Sequence, residues 1–282
     1  LCRVAGVAGL LGALLIGTPA TAASNMLQKP LQVGGSGVPP NLMFTLDDSG
    51  SMWYECLPDS LCTNGSNGLE AIPKRSAVST SYRQGTVVYD DVKVMLGSTE
   101  KRAATANLLS RRMRASAYNP LYYNPAIQYK PWLKGDGTRW PNAAPANAPV
   151  IAGATQTQPL EGLQKVSSDW CWGLGGNDDC HFGTEQTAHL ARYYTMTGTG
   201  SAVGDFTLVK IEASNNSYPK AAGRTDCAGT TCTYTEEIQN FANWYTYYRT
   251  RALTAIGGTA EAFAAVPENY RVGYGRINKS SS

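Results

Sequence analysis

Charge is scarce in this chain. Charged residues make up 16% of its 282 positions, below the ~25% usual for a soluble domain. Lys and Arg number 24 against 21 Asp and Glu, leaving a net +3. No long basic run occurs, so nucleic-acid binding lacks its electrostatic footprint. Histidine is nearly missing, with two residues. There is no G-x-S-x-G and no H-E-x-x-H, and neither His lies near a nucleophile motif, which argues against a hydrolase and against an enzyme generally. Long apolar runs are lacking too. Val4 to Ile16 falls short of the ~20 residues a membrane helix needs. No C-x-x-C pair is present, so standard zinc-finger spacing is absent, although His181 and His189 lie near cysteines.

Polarity comes instead from Thr, Ser, Asn, Gly and Tyr, with 29 Gly and 16 Tyr. Arg3, the apolar stretch Val4 to Ile16 and the small residues Ala20-Thr21-Ala22 have the layout of a secretory signal peptide over 1–22. Leu1 stands where a Met would open a reading frame, so the chain is expected to begin inside one. Cys2 should leave with the leader. The other six cysteines fall in three close pairs, and an even count in an exported chain favours disulfides. Six cysteines allow fifteen pairings; the clustering favours Cys56–Cys62, Cys171–Cys180 and Cys227–Cys232.

One stretch organises the rest. Asn41 to Met52 reads Asn-Leu-Met-Phe-Thr-Leu-Asp-Asp-Ser-Gly-Ser-Met. Leu42 to Leu46 is a short apolar run of the kind buried on both faces in a parallel sheet. At its C-terminal end stand Asp47, Ser49 and Ser51, in D-x-S-x-S spacing. Open α/β sheets bind ligands at the carboxyl ends of their strands. One carboxylate and two hydroxyls on a tight loop suit a hard cation, which takes oxygen ligands. A strand followed by an N-capped turn would use the same residues, but the apolar strand in front favours the cation.

This stretch resembles the first strand and metal-ion-dependent adhesion site of von Willebrand factor A domains. The resemblance implies Mg²⁺, with Ca²⁺ or Mn²⁺ as substitutes, bound directly by Ser49 and Ser51 and through water by Asp47. Asp48 occupies the variable position. Three segments taken together are similar to the N-terminal region of PilY1-type proteins, the type IV pilus tip-associated adhesins and biogenesis factors. They are Val38 to Met52, Tyr118 to Pro125 with Tyr129-Lys130-Pro131-Trp132, and Asn240 to Arg251 (Asn-Phe-Ala-Asn-Trp-Tyr-Thr-Tyr-Tyr-Arg-Thr-Arg). They are collinear and span most of the chain after the leader.

The expected fold class is α/β, an incomplete von Willebrand factor A-like (Rossmann-like) parallel sheet with a large, irregular, disulfide-stapled α+β insertion. Residues 23–40 form a linker or edge segment, and Gln28 to Val33 could be a short strand. Residues 41–52 and 236–282 supply the first strand, first helix and second strand, and 53–235 the insertion. Thr235 is expected to cap a helix over Glu236–Val266 that is kinked at Gly257-Gly258. Tyr270 to Ile277 reads as the strand that pairs, in parallel, with Asn41–Leu46. Gly257-Gly258-Thr259 also resembles a later metal-binding loop of the family, but no Asp follows in Tyr270 to Asn278.

Within the insertion, a helical period around Ser98 to Arg114 presents Lys101, Arg102, Arg111, Arg112 and Arg114 as a solvated face. Arg192 to Met196 and Phe206 to Ile211 read as strands, and Asn177-Asp178-Asp179 as a solvated turn. The tyrosines of 118–129 with Trp132 form either a packed cluster or an exposed contact surface, the packed reading being the stronger.

The family resemblance implies a non-enzymatic role in pilus biogenesis and surface adhesion. Its partners would be pilins of the type IV pilus tip and a host or abiotic surface ligand with an acidic group. Its location would be the periplasm, outer surface or pilus tip. The family's remaining metal ligands and propeller lie outside the chain, so it is expected to be a fragment with weak metal binding. A rigid pilus-tip cap that does not use metal is the alternative.

Overall fold

The computed structural model describes residues 40–62, 69–70, 86–87, 108, 111–166, 170–172, 179–181 and 186–277. The expected signal peptide, the strand at Gln28 to Val33, most of the helix at Ser98 to Arg114 and Asn177-Asp178 lie outside them. In chain order the longer elements are β1 (Asn41–Leu46), α1 (Asp59–Cys62), β2 (Leu163–Val166), β3 (Trp170–Trp172), β4 (Asp179–His181), β5 (Gln186–His189), β6 (Arg192–Met196), β7 (Phe206–Lys210), α2 (Tyr234–Tyr247), α3 (Arg251–Ala264) and β8 (Arg271–Arg276).

β1 and β8 pair in parallel, from Asn41 opposite Arg271 to Leu46 opposite Arg276. Two hundred or more residues of chain separate these strands, and the helices α2 and α3 precede β8, as the crossover from a parallel pair requires. The expected single helix is two. Thr233, not Thr235, caps α2, and Glu236 returns its carboxylate to the Thr233 N–H at 2.8 Å, completing a capping box. The Tyr248 N–H still reaches the Trp244 carbonyl, at 2.8 Å. The helix then breaks, and Thr250 caps α3 by accepting the Leu253 N–H at 3.2 Å. Gly257-Gly258 leaves α3 unbroken. A Cβ at Gly257 would stand 2.9 Å from Trp132 and Tyr248, so this glycine permits a close approach rather than a kink.

The main hydrophobic core surrounds α2. Ile238, Phe241, Ala242, Trp244, Tyr245 and Tyr247 join Cys56, Tyr122, Tyr123, Trp132, Leu160, Tyr193 and Ile211 in one buried cluster. The tyrosine-rich segment is therefore packed core. Tyr123 contacts the rings of Phe241, Trp244, Tyr193 and Tyr129, with centroids 5.0–6.0 Å apart.

Residues 119–143 form almost no regular structure, so their backbone polar groups need other partners. Polar side chains of α2 supply them. Asn240 accepts the Tyr129 N–H at 2.7 Å and donates to the Ile127 carbonyl at 2.8 Å. Asn243 accepts the Ala143 N–H at 3.0 Å and donates to the Tyr129 carbonyl at 3.1 Å. Trp244 donates to the Leu121 carbonyl at 3.0 Å, and the Tyr247 hydroxyl to Pro141 at 2.6 Å. Asn240, Asn243 and Tyr247 follow helical spacing, so one face of α2 reads the loop's backbone.

β6 and β7, both expected as strands, form an antiparallel pair. The arginines before them are not a solvated face. Arg114 is buried, Arg111 donates to the Val203 carbonyl at 3.0 Å, and Arg112 donates to that of Gly200 at 2.9 Å. The charges of Arg111 and Arg112 satisfy carbonyls of the loop that joins β6 to β7.

Disulfides Cys56–Cys62 and Cys227–Cys232 are formed, with S–S distances of 2.01 and 1.97 Å. Cys171 and Cys180 stand directly opposite each other in the β3–β4 pair; their side chains lie outside the described part.

β1 departs from its expected burial. Met43 is 67% exposed and Tyr274 on β8 is 60% exposed. Alternation puts Leu42, Phe44 and Leu46 on one face with Val272 and Tyr274. There Phe44 meets Phe263 of α3 edge-on, at 5.3 Å between centroids. On the other face Met43 lies across Gly273 and Gly275. One helix and one neighbouring strand cannot bury a strand on both sides.

Candidate metal centre

The turn after β1 is built by its own backbone and short side chains. The Ser49 N–H donates to Asp47 Oδ1 at 2.9 Å, an Asx-type turn that folds the carboxylate over the loop. A 3₁₀ turn, Gly50–Trp53, follows. It is closed by Met52 N–H to the Ser49 carbonyl at 3.0 Å and Tyr54 N–H to that of Ser51 at 3.1 Å. This turn packs against α3. Ser49 Oγ and Ser51 Oγ share a hydrogen bond at 3.0 Å. The three residues singled out from the sequence thus sit on one turn at the carboxyl end of a parallel strand.

The donor set fits a hard cation. Adjacent corners of an octahedron with Mg²⁺–O distances of 2.0–2.1 Å are about 2.9 Å apart, close to the spacing of the two hydroxyls. Among the described residues no group of three or more His, Cys, Asp and Glu is placed to hold a metal ion. His189 Nε2 faces Glu212 at 3.3 Å. A site here rests on hydroxyls and one carboxylate.

Arg276 is a site residue that the sequence reading passed over. It ends β8 and donates from Nε to Asp48 Oδ2 at 2.5 Å, and its Nη2 contacts the same oxygen. Asp48 is thereby engaged by the guanidinium of Arg276. The pairing was findable. In the parallel register Arg276 lies opposite Leu46, two residues before Asp48.

A second polar cluster lies inside the core. Arg224 donates to Glu237 at 2.9 Å and to both oxygens of Asp226 at 2.8 and 3.0 Å. The Tyr123 hydroxyl donates to Glu237 at 2.7 Å. Burial raises the Glu237 pKa, opposed by the charge of Arg224. Burial and the Glu237 charge hold the Tyr123 hydroxyl well above its usual value. Burial works against the Arg224 charge, but Asp226, Tyr123 and Glu237 outweigh it and raise its pKa. Tyr129 is pushed up to about 12, mainly by burial. The cluster joins α2 to the segments before it.

What emerges is a disulfide-stapled α/β chain with a hydroxyl-rich turn at the end of a parallel strand. The chain is 30% identical over 287 residues to type IV pilus biogenesis factor PilY1 of Pseudomonas aeruginosa strain PAK, covering 97% of this chain and 19% of that protein. To the PilY1 of strain PAO1 it is 28% identical over 282 residues, and to that of UCBPP-PA14 29% over 273. Along nearly its whole length the chain resembles PilY1, and it spans about 19% of the length of the relatives it matches. No family model matches it, and no solved structure does. No described helix is long and apolar enough to cross a membrane; the disulfides and the pilus-associated relatives are consistent with an exported protein.

Proposed function

We propose that this chain belongs to a pilus biogenesis and adhesion factor, and that its turn at Asp47, Ser49 and Ser51 holds a divalent cation. Mg²⁺ is the first choice, and Ca²⁺ or Mn²⁺ are admissible. The 3.0 Å spacing of the two seryl hydroxyls beside Asp47 carries the reading. The cation would supply Lewis acidity toward an oxygen anion. The chain's own residues orient the site: β1 delivers the turn, the Asp47–Ser49 bond sets its bend, and α3 backs it. An acidic group on a host or abiotic surface is the ligand that such a site takes. Pilins of the pilus tip are the assembly partners, and the role is non-enzymatic. The family fold, a von Willebrand factor A-like sheet, is proposed on the parallel pairing of β1 and β8 around the two helices.

Mg²⁺-dependent adhesion by the intact protein tests this. Ser51→Ala or Asp47→Ala should abolish it with the fold unchanged. Normal adhesion by Ser51→Ala, in Mg²⁺ and in chelator alike, would refute the metal-adhesion reading. The second reading, a rigid tip cap that does not use metal, would then be preferred; the dense core around α2 favours it.

A further inference from the structure

Asp48 and Arg276 stand at the same end of the sheet as the metal turn, and the proposal rests on the reading of that turn as a cation site. Asp48 lies between Asp47 and Ser49 in the chain. Its side chain is 20% exposed and that of Arg276 is 53% exposed. The pair is therefore wet enough to exchange partners, since an exposed ion pair is weakly held. A carboxylate next to two cation-binding hydroxyls is an obvious extra ligand for a hard ion. The guanidinium holds that carboxylate instead, by two of its nitrogens. The same guanidinium places a positive charge beside the turn.

We infer that Arg276 is a brake on the cation site: it sequesters Asp48 and opposes the cation's charge, keeping the protein's donor set to one carboxylate and two hydroxyls. A cation held by so few anionic oxygens keeps net positive charge and open corners. It therefore depends on an anionic group from outside. Arg276 makes the site a receptor for a ligand carboxylate rather than a self-sufficient metal sink. Both parts of the mechanism act in the same direction, because removing the guanidinium frees a carboxylate and removes a like charge.

Mn²⁺ binding to the intact protein, followed by its paramagnetic effect on water relaxation, is the test. The relevant component is the one lost in Ser51→Ala. Arg276→Gln should tighten that component by on the order of tenfold, and added acetate should enhance it less than in the unaltered protein. Arg276→Lys, which keeps the charge and can keep the pair, should stay within about threefold of it. Asp48→Asn should weaken binding, and adding Asp48→Asn to Arg276→Gln should remove the gain. A gain that survives Asp48→Asn would overturn the sequestration. Unchanged or weaker binding in Arg276→Gln, with the Ser51-dependent component present, overturns the inference and leaves the cation site standing. A Ser51-dependent component missing from every variant overturns the cation site and the inference with it.

Discussion

Two parts of this molecule carry similar amounts of aromatic and aliphatic sequence and treat it in opposite ways. Around α2 the aromatic rings are buried, and the polar tips of Trp244 and Tyr247 are bonded to loop carbonyls. In the β1–β8 pair, Met43, Val272 and Tyr274 are exposed, and α3 covers little more than Phe44. The segment that looks irregular in sequence is the better packed. The segment with the recognisable strand and motif is the more open. A helix whose side chains satisfy the backbone of a neighbouring loop makes an irregular segment rigid. A strand with one neighbour stays marginal however apolar it is. Rigidity and the candidate site are therefore separate: α2 organises the scaffold, and the turn after β1 sits at its edge, backed by α3.

The strongest way to sharpen that contrast is to break the buried ion pair. Arg224→Ala leaves Glu237 unpaired in the core and should destabilise the chain by about 3–5 kcal/mol, read from its urea unfolding. Arg224→Met with Glu237→Leu should recover much of the loss, because the fully buried Glu237 charge leaves with its partner and the stranded Asp226 carboxylate reaches solvent. No comparable substitution in the β1–β8 pair should approach this effect.

Two glycine replacements compare the regions at matched size. Gly257→Ala puts a methyl 2.9 Å from Trp132, whose indole N–H is fixed on the Tyr247 carbonyl at 2.8 Å. Overpacking should exceed the ~1 kcal/mol gained in helix propensity, for a net loss of about 1–2 kcal/mol. Gly273→Ala meets Met43 Sδ at 2.8 Å, but that side chain is flexible and open to solvent. Its midpoint should move by less than about 0.5 kcal/mol equivalent. Equal effects at the two positions would contradict the contrast.

A smaller effect than that at Gly257 concerns the cap of α2. Hydrogen bonds from the Thr233 and Ala228 N–H groups lower the Glu236 pKa. A lowered carboxylate pKa stabilises the fold above the unfolded-state value of about 4.3, and that contribution is lost as pH falls through the folded-state value. Glu236→Ala should cost at most about 1 kcal/mol at neutral pH. The difference from the unaltered chain should shrink in acid, measured by unfolding at pH 7 and near pH 3.

Several features were legible because they are local or periodic. The β1–β8 pairing followed from an apolar run, a helical stretch and a second strand. The Cys56–Cys62 and Cys227–Cys232 bridges followed from spacing, and β7 from alternation. The break at Tyr248–Thr250 was not legible, because Thr250 within an aromatic helical pattern reads as interior, while Gly257-Gly258 reads as a breaker. Burial of Glu237 was hidden for another reason. At the first turn of a helix an acid is expected in solvent, and its partner Arg224 is placed by tertiary packing alone. Arg111 and Arg112 misled in the same way, since their acceptors are carbonyls that no side-chain pattern reports. For the site, D-x-S-x-S marked the turn, but the guanidinium beside it became visible only with the strand register.

Native-state hydrogen exchange compares the two regions in one measurement. Amides of Phe241 to Tyr247 should open only with global unfolding, whereas those of β1 and β8 should exchange through local opening at a clearly lower free energy. Addition of Mg²⁺ should slow the Ser49 and Met52 amides and leave α2 unchanged. Equal protection of β1 and α2, or a Mg²⁺ response in α2 with none at Ser49 and Met52, would contradict a rigid scaffold carrying a metal turn at its open edge.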